Sequence, residues 1–301
     1  MRPQPSLWDF ADRLEPLVKP SYRLTLGEGH TPLIEIEGIF FKREDLNPSG
    51  SVKDRGLAYQ ISALYQQGHK NFVISSSGNA AISAAAYCQL ANLKLTVFVS
   101  PKIPQNKLKK LQSYSIEIIP DSRPISSAAR YAKANNAYNL RPSQDALGSI
   151  GYQTIAYELA KQLPKPGGIL YAPVSSGATL TGIINGFKII DENFPMHFWA
   201  VQTTAVHPLA GDYDNNYQSE PTSLATGLVA KTSALYKQID KHLVGGWVVS
   251  NQQIEYAHKW LTRHNITTSY EGAAALAGLF KSLTFKRRIH TPTIILLTGS
   301  L

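Results

Sequence analysis

Cysteine is almost absent from this 301-residue sequence: Cys88 stands alone. That excludes an intrachain disulfide and any multi-cysteine zinc site. Cys88 ends the run Ala84-Ala85-Ala86-Tyr87-Cys88, so a buried small thiol is expected rather than a nucleophile. No apolar run reaches the length of a membrane span. The amino terminus passes from Met1-Arg2-Pro3-Gln4-Pro5 into mixed charge at Asp9, Asp12, Arg13 and Glu15, with no apolar core of a signal peptide. A cytoplasmic protein is expected. His30, His207 and His264 lack metal-ligand spacing and no H-E-x-x-H occurs, so no metal is expected. No loop has Gly-x-Gly-x-x-Gly spacing, which sets aside a dinucleotide-binding oxidoreductase. Acidic side chains are the scarcer sign, 21 against 30 Lys+Arg, leaving a formal charge of +9 to attract an anionic partner. The run Lys286-Arg287-Arg288 is short and lacks interleaved aromatics, and reads as an exposed helix end. Neither nucleic acid nor a membrane is therefore the expected partner; a small anionic molecule is.

What is present is core and alternation. Hydrophobic residues make up 43% of the chain, ample for one large domain or two modest ones. Strand-like runs at 72–75, 95–99 and 116–120 are followed by helical stretches at 80–90, 106–113 and 125–135. After Pro142 the pattern restarts, with a helix at 152–162, a strand at 169–172 and a helix running through Phe187. Further strands are expected at 197–203, 247–249 and 293–297, and Ser250 with Gln253 forms a capping box. Strands that are continuously apolar, alternating with helices, indicate parallel sheets covered on both faces. The expected fold is α/β, two three-layer αβα domains with mostly parallel sheets and a ligand in the cleft between them. A smaller, mobile domain is placed at 45–147, and a larger one at 1–44 plus 148–301.

Three small-residue loops stand before helices: 47–56, 75–80 and 173–179. Small residues let backbone N–H groups approach an anion, and a following helix adds its positive end. Lys53 sits at a helix start, the unfavourable end of the dipole for a cation, which suits a neutral or imine-bound amine. The competing reading is a solvated lysine in a charged turn with Asp54 and Arg55.

The segment NPSGSVKDRG at 47–56 resembles the lysine motif of the pyridoxal-phosphate enzymes of the tryptophan-synthase-β superfamily, threonine synthases above all. SSGN at 76–79 resembles that family's substrate-carboxylate loop, GYQTIAYE at 151–158 its interdomain helix, and PVSSGATLTG at 173–182 its phosphate loop. Thr298-Gly299 resembles its pyridine-nitrogen site, and GEGHTPL at 27–33 its G-x-T-P-L segment. The resemblance implies pyridoxal 5'-phosphate as cofactor, with Lys53 as the catalytic residue that bonds it and moves protons at Cα and Cβ. It implies that Asn79 bonds the cofactor's phenolic oxygen. Ser175, Ser176, Gly177, Ala178 and Thr179 are implied to cradle its phosphate, and Thr298 to meet its ring nitrogen. Ser76, Ser77, Gly78 and Asn79 are implied for the substrate carboxylate, and Lys107 for a substrate phosphate. Lys107 has a plainer reading too, a solvated helix face with Lys109 and Lys110. Glu271 resembles the family's acidic residue ahead of a small-residue helix, or simply caps that helix. A homodimer is implied, as relatives commonly form one.

The expected activity is elimination or replacement on a small amino acid, as a carbon–oxygen lyase of threonine-synthase type acting on O-phosphohomoserine. Val52 stands where threonine synthases commonly carry Phe, and Gln153 where they carry Lys. Both keep a threonine/serine dehydratase or a cysteine-synthase-like β-replacing enzyme open. Ser175, Ser176 and Ala178 stand at usual glycine positions, and the sequence stops at Leu301, where relatives continue. Those departures would suit a cofactor-binding regulatory protein without turnover; the intact Lys53-Asp54-Arg55-Gly56 opposes it.

Overall fold

The strands form where β-branched, Leu and aromatic residues run together between Gly- and Ser-rich breaks. In chain order the elements are β1 (Leu33–Ile36), β2 (Ile39–Arg43), α1 (Lys53–Gln66), β3 (Asn71–Ser75), α2 (Asn79–Leu90), β4 (Lys94–Val99), α3 (Gln105–Gln112), β5 (Glu117–Pro120), α4 (Pro124–Ala134) and β6 (Tyr138–Asn139). They continue as α5 (Gln153–Gln162), β7 (Gly168–Pro173), α6 (Ala178–Ile190), β8 (Met196–Thr203), α7 (Tyr236–Asp240), β9 (Leu243–Val249), α8 (Asn251–Arg263), α9 (Tyr270–Thr284) and β10 (Thr293–Leu297). This computed structural model describes residues 4–141, 144–285 and 292–300. The basic run 286–288 lies outside the described residues. No helix among those described is long and apolar enough to cross a membrane.

The chain divides into two compact units, Met1–His30 with Asn47–Tyr152, and Thr31–Leu46 with Gln153–Leu301. Residues 4–30, assigned from sequence to the carboxy-terminal half, thus lie with the first unit. Burial of Leu7, Phe10 and Leu14 ties them there. So do the Tyr59 hydroxyl donating to Pro16 O (2.6 Å) and Leu24 N–H donating to Ser62 Oγ (2.9 Å).

The first unit holds a wholly parallel sheet of order β5-β4-β3-β6. Strands β3 and β4 are buried almost throughout, as parallel strands covered on both faces require. Helices α2 and α4 pack on them. Helix α2 is Ala-rich and buried from Ala81 to Cys88, and the Cys88 thiol is inert there, burial pushing it far above its ordinary range.

The second unit holds the order β1-β2-β10-β7-β8-β9, parallel except for the β1–β2 hairpin. That hairpin turns through Glu37 (φ 52°) and Gly38 (φ 77°), the paired positive φ of a type I′ turn. Successive side chains on a strand face opposite ways. Phe41 accordingly joins the core cluster of α8 and α9 with Tyr171, Val201, Ile295 and Leu297. The neighbouring Lys42 faces the other layer, where its ammonium meets Glu158 of α5 at 2.6 Å. Helices therefore cover both faces. Ser250 and Gln253 form the expected capping box on α8.

In each sheet the strand order reverses once: beside β3 in the first, between β7 and β10 in the second. Ligand loops of open α/β sheets gather at the carboxyl ends of such strands. Residues 76–79 follow β3, residues 174–179 follow β7, and Thr298 follows β10.

Candidate active site

Lys53 opens α1 with no side-chain cap ahead of it. Its residue is half-buried, yet desolvation of the ammonium lowers its pKa to about 8. Its Nζ lies 5.6 Å from the centroid of the Tyr152 ring. One turn on, Gly56 shares that face, and a Cβ there would meet the Tyr152 ring at 2.5 Å. A Cβ on Gly151 would meet Arg55 O at 1.9 Å. Both glycines are therefore required for the segment at 151–152 to lie against α1, which brings beside Lys53 the Tyr152 ring, to which the sequence assigned no role.

Asp54 and Arg55 are fully buried, not parts of an exposed turn. Asp54 closes the loop before the lysine: its carboxylate accepts from Ser49 N–H (2.6 Å) and from the Ser49 hydroxyl. Burial raises the Asp54 pKa, with the Ser49 contacts opposing that rise. Gly50, at φ +92°, makes the turn, its N–H donating to Asn47 O (2.8 Å). Lys110 donates to Ser49 O at 2.7 Å, so the α3 lysines are not one solvated face.

The loop 76–79 is braced from the sheet. Ser76 N–H donates to Phe98 O (3.2 Å), and Ser77 Oγ accepts from Ser100 N–H (2.8 Å). Gly78 N–H turns back to Ser76 Oγ (3.2 Å) and caps α2 without a side-chain bond. Asn79 begins the helix half-buried. Lys107 reaches this loop from α3, its Nζ 3.9 Å from the place a Gly78 Cβ would take. Only the exposed Lys109 fits the solvated-face reading. The first unit thus gathers a positive charge and helix-start amides at residues 76–79.

In the second unit Ser175 and Ser176 lead into Gly177, whose φ of +92° places the start of α6 in the left-handed region, and no side chain caps that helix. A Cβ on Gly177 would strike Ile239 Cδ1 at 2.4 Å. Ala178 is buried and Thr179 half-buried. The register Thr293 opposite Ile169, Ile295 opposite Tyr171 carries half-buried Thr298 to the sheet edge from which the 174–179 loop departs. Glu271 accepts from Gly227 N–H (2.7 Å), while Ser269 caps α9. Capping is therefore not the role of Glu271. Among the described residues no three His, Cys, Asp or Glu side chains gather as a metal site.

The chain is 26% identical to a threonine synthase of Halalkalibacterium halodurans over 277 residues, 88% of this chain and 76% of that one. It is 25% identical to a catabolic L-threonine dehydratase of Staphylococcus aureus over 298 residues, 95% and 83% of the two chains. Maize serine racemase superposes with a TM-score of 0.80 at 23% identity, covering 90% of this chain and 88% of that one. The processed threonine deaminase isoform 2 of Solanum lycopersicum gives 0.80 at 20%, covering 98% and 89%. These two structures establish the fold, a pair of αβα domains. Residues 24–299 match the family described as pyridoxal-phosphate dependent enzyme, and the chain is a member of that family.

Proposed function

We propose that this enzyme is a lyase of threonine-synthase type, converting O-phosphohomoserine and water to threonine and phosphate. The observation that carries this reading is the Lys107 ammonium beside Gly78, a charge able to meet a second anionic group next to a carboxylate-binding loop.

The side chains fit pyridoxal phosphate. Gly177 at φ +92° ahead of an uncapped helix is a cradle for a phosphate, and Lys53 is an amine of lowered pKa. When bound, the cofactor supplies an electron sink that acidifies the amino acid's α-proton. In this reading the amides and hydroxyls of 175–179 hold the phosphate, and Asn79 donates its amide to the phenolic oxygen. Ser76, Ser77 and Gly78 orient the substrate carboxylate. Lys53 carries the proton at Cα and then at Cβ, its desolvated amine being available near neutral pH. Thr298 offers the ring nitrogen a neutral hydroxyl rather than a carboxylate. That hydroxyl would not hold the ring nitrogen protonated, which would suit prompt loss of a leaving group over transamination.

A threonine/serine dehydratase is the second reading, favoured by the similarity to the Staphylococcus aureus dehydratase. The test is to incubate the enzyme with O-phosphohomoserine, threonine, serine and O-acetylserine, measuring phosphate, keto acid and thiol uptake. Phosphate with threonine is expected from the first substrate. Keto acid from threonine without phosphate release from O-phosphohomoserine would replace the first reading with the second.

A further inference from the structure

The anion loop after β7 is held from behind by a stretch with no regular pattern. Tyr236, first residue of α7, donates its hydroxyl to Ser175 O at 2.6 Å, sharing the proton with Ala230 O at 2.8 Å. Ser233 donates its hydroxyl to Ser176 O at 2.6 Å. Ser233 Oγ also accepts from Leu235 N–H at 3.2 Å, which orients it so that its proton points at the loop. Below Gly177 lie Ile239 and the Leu235 Cβ. Burial raises the Tyr236 pKa, so the phenol remains a donor at physiological pH.

The consequence follows from peptide geometry. In a trans peptide the carbonyl of one residue and the N–H of the next point in opposite directions. Fixing Ser175 O toward Tyr236 therefore aims Ser176 N–H away from the α7 side. Fixing Ser176 O toward Ser233 does the same for Gly177 N–H. Two successive amides aimed together form an anion-binding concavity, and the uncapped start of α6 continues it. Glycines would leave such a turn loose. Here the loop carries Ser175, Ser176 and Ala178, and the two hydroxyls behind it set its direction.

We propose that Ser233 and Tyr236 are positioning residues that lock the 175–177 peptides into their phosphate-binding orientation, so that phosphate recognition depends on them. This rests on the assignment of 175–179 as the cofactor-phosphate loop. The test compares the full chain, freed of cofactor, with Tyr236→Phe, Ser233→Ala and Ser233→Thr. Affinity is measured for pyridoxal phosphate and for pyridoxal, which lacks the phosphate.

The wild type should prefer pyridoxal phosphate. Tyr236→Phe and Ser233→Ala should each lose roughly tenfold in affinity for it, the value of about one hydrogen bond, with pyridoxal binding unchanged. Ser233→Thr, which keeps the hydroxyl, should retain the preference. Equal loss toward both ligands, or an undiminished preference, overturns the inference. A wild type that does not prefer the phosphorylated form overturns the loop assignment itself. Should Tyr236→Phe fail to fold, the Ser233 pair decides.

Discussion

The lysine at the head of α1 should weaken the protein that carries it. An ordinary lysine titrates near 10.4, whereas Lys53 is lowered to about 8 by desolvation alone. At about 1.4 kcal/mol per tenfold, the buried ammonium costs about 3 kcal/mol of folding stability near neutral pH in the cofactor-free protein. Below pH 8 the amine is charged in both folded and unfolded chains, and the whole cost is present. Between pH 8 and about 10.4 the unfolded chain holds more protons than the folded one, so this contribution to stability rises with pH. Lys53→Met keeps the length of the side chain and removes the charge. The cofactor-free variant should be more stable than the wild type by about 3 kcal/mol at pH 7. The gap should shrink toward what the methyl thioether alone contributes as pH approaches 10. Urea unfolding followed by circular dichroism at pH 7, 8, 9 and 10 measures it. Equal stability at pH 7, or a gap that widens with pH, would refute the buried-charge account.

Three other substitutions bear on the same scaffold. Gly56→Ala drives a methyl into the Tyr152 ring and should cost about 1–3 kcal/mol, visible as a lower thermal midpoint. Lys42→Met leaves Glu158 buried without its ammonium, a loss of about 3–5 kcal/mol, and adding Glu158→Leu should recover most of it in a double-mutant cycle. Lys107→Ala should raise KM for O-phosphohomoserine about tenfold while leaving that for serine within about twofold, the value of one charge-assisted contact. A uniform rise for both substrates would place Lys107 at the carboxylate instead.

The parallel strands were the most legible part of the sequence. At 72–75, 95–99 and 293–297 continuous apolar runs ended at small or polar residues, and both faces of those strands are indeed covered. The three small-residue loops followed from that alternation, because each comes directly before a helix. The hairpin β1–β2 did not, since its pairing with β10 joins segments with no local signature. Asp54 and Arg55 misled for a different reason: adjacent opposite charges ordinarily mark solvent, yet both are buried, Asp54 because the loop before it turns Ser49 back onto its carboxylate. The Tyr152 ring beside Lys53 lay within a recognised motif, but its role needed the close approach that Gly56 and Gly151 allow. Ser233 and Tyr236 fall in a polar stretch without periodicity, and no pattern marks a hydroxyl that serves a carbonyl about 60 residues away.

The pairing of β2 with β10 also bears on how the chain is made. Residues Ile39–Arg43 leave the ribosome early, yet the strand that fills the position between β2 and β7 comes about 250 residues later, about 10–50 s at usual elongation rates. Until then a half-built sheet would carry two open seams of unpaired backbone, one along β2 with Ile39, Phe40 and Phe41 and one along β7 with Ile169, Leu170 and Tyr171. Strand β10 closes both at once, a keystone for the second sheet, and ribosomes stalled before residue 293 should release chains prone to aggregation.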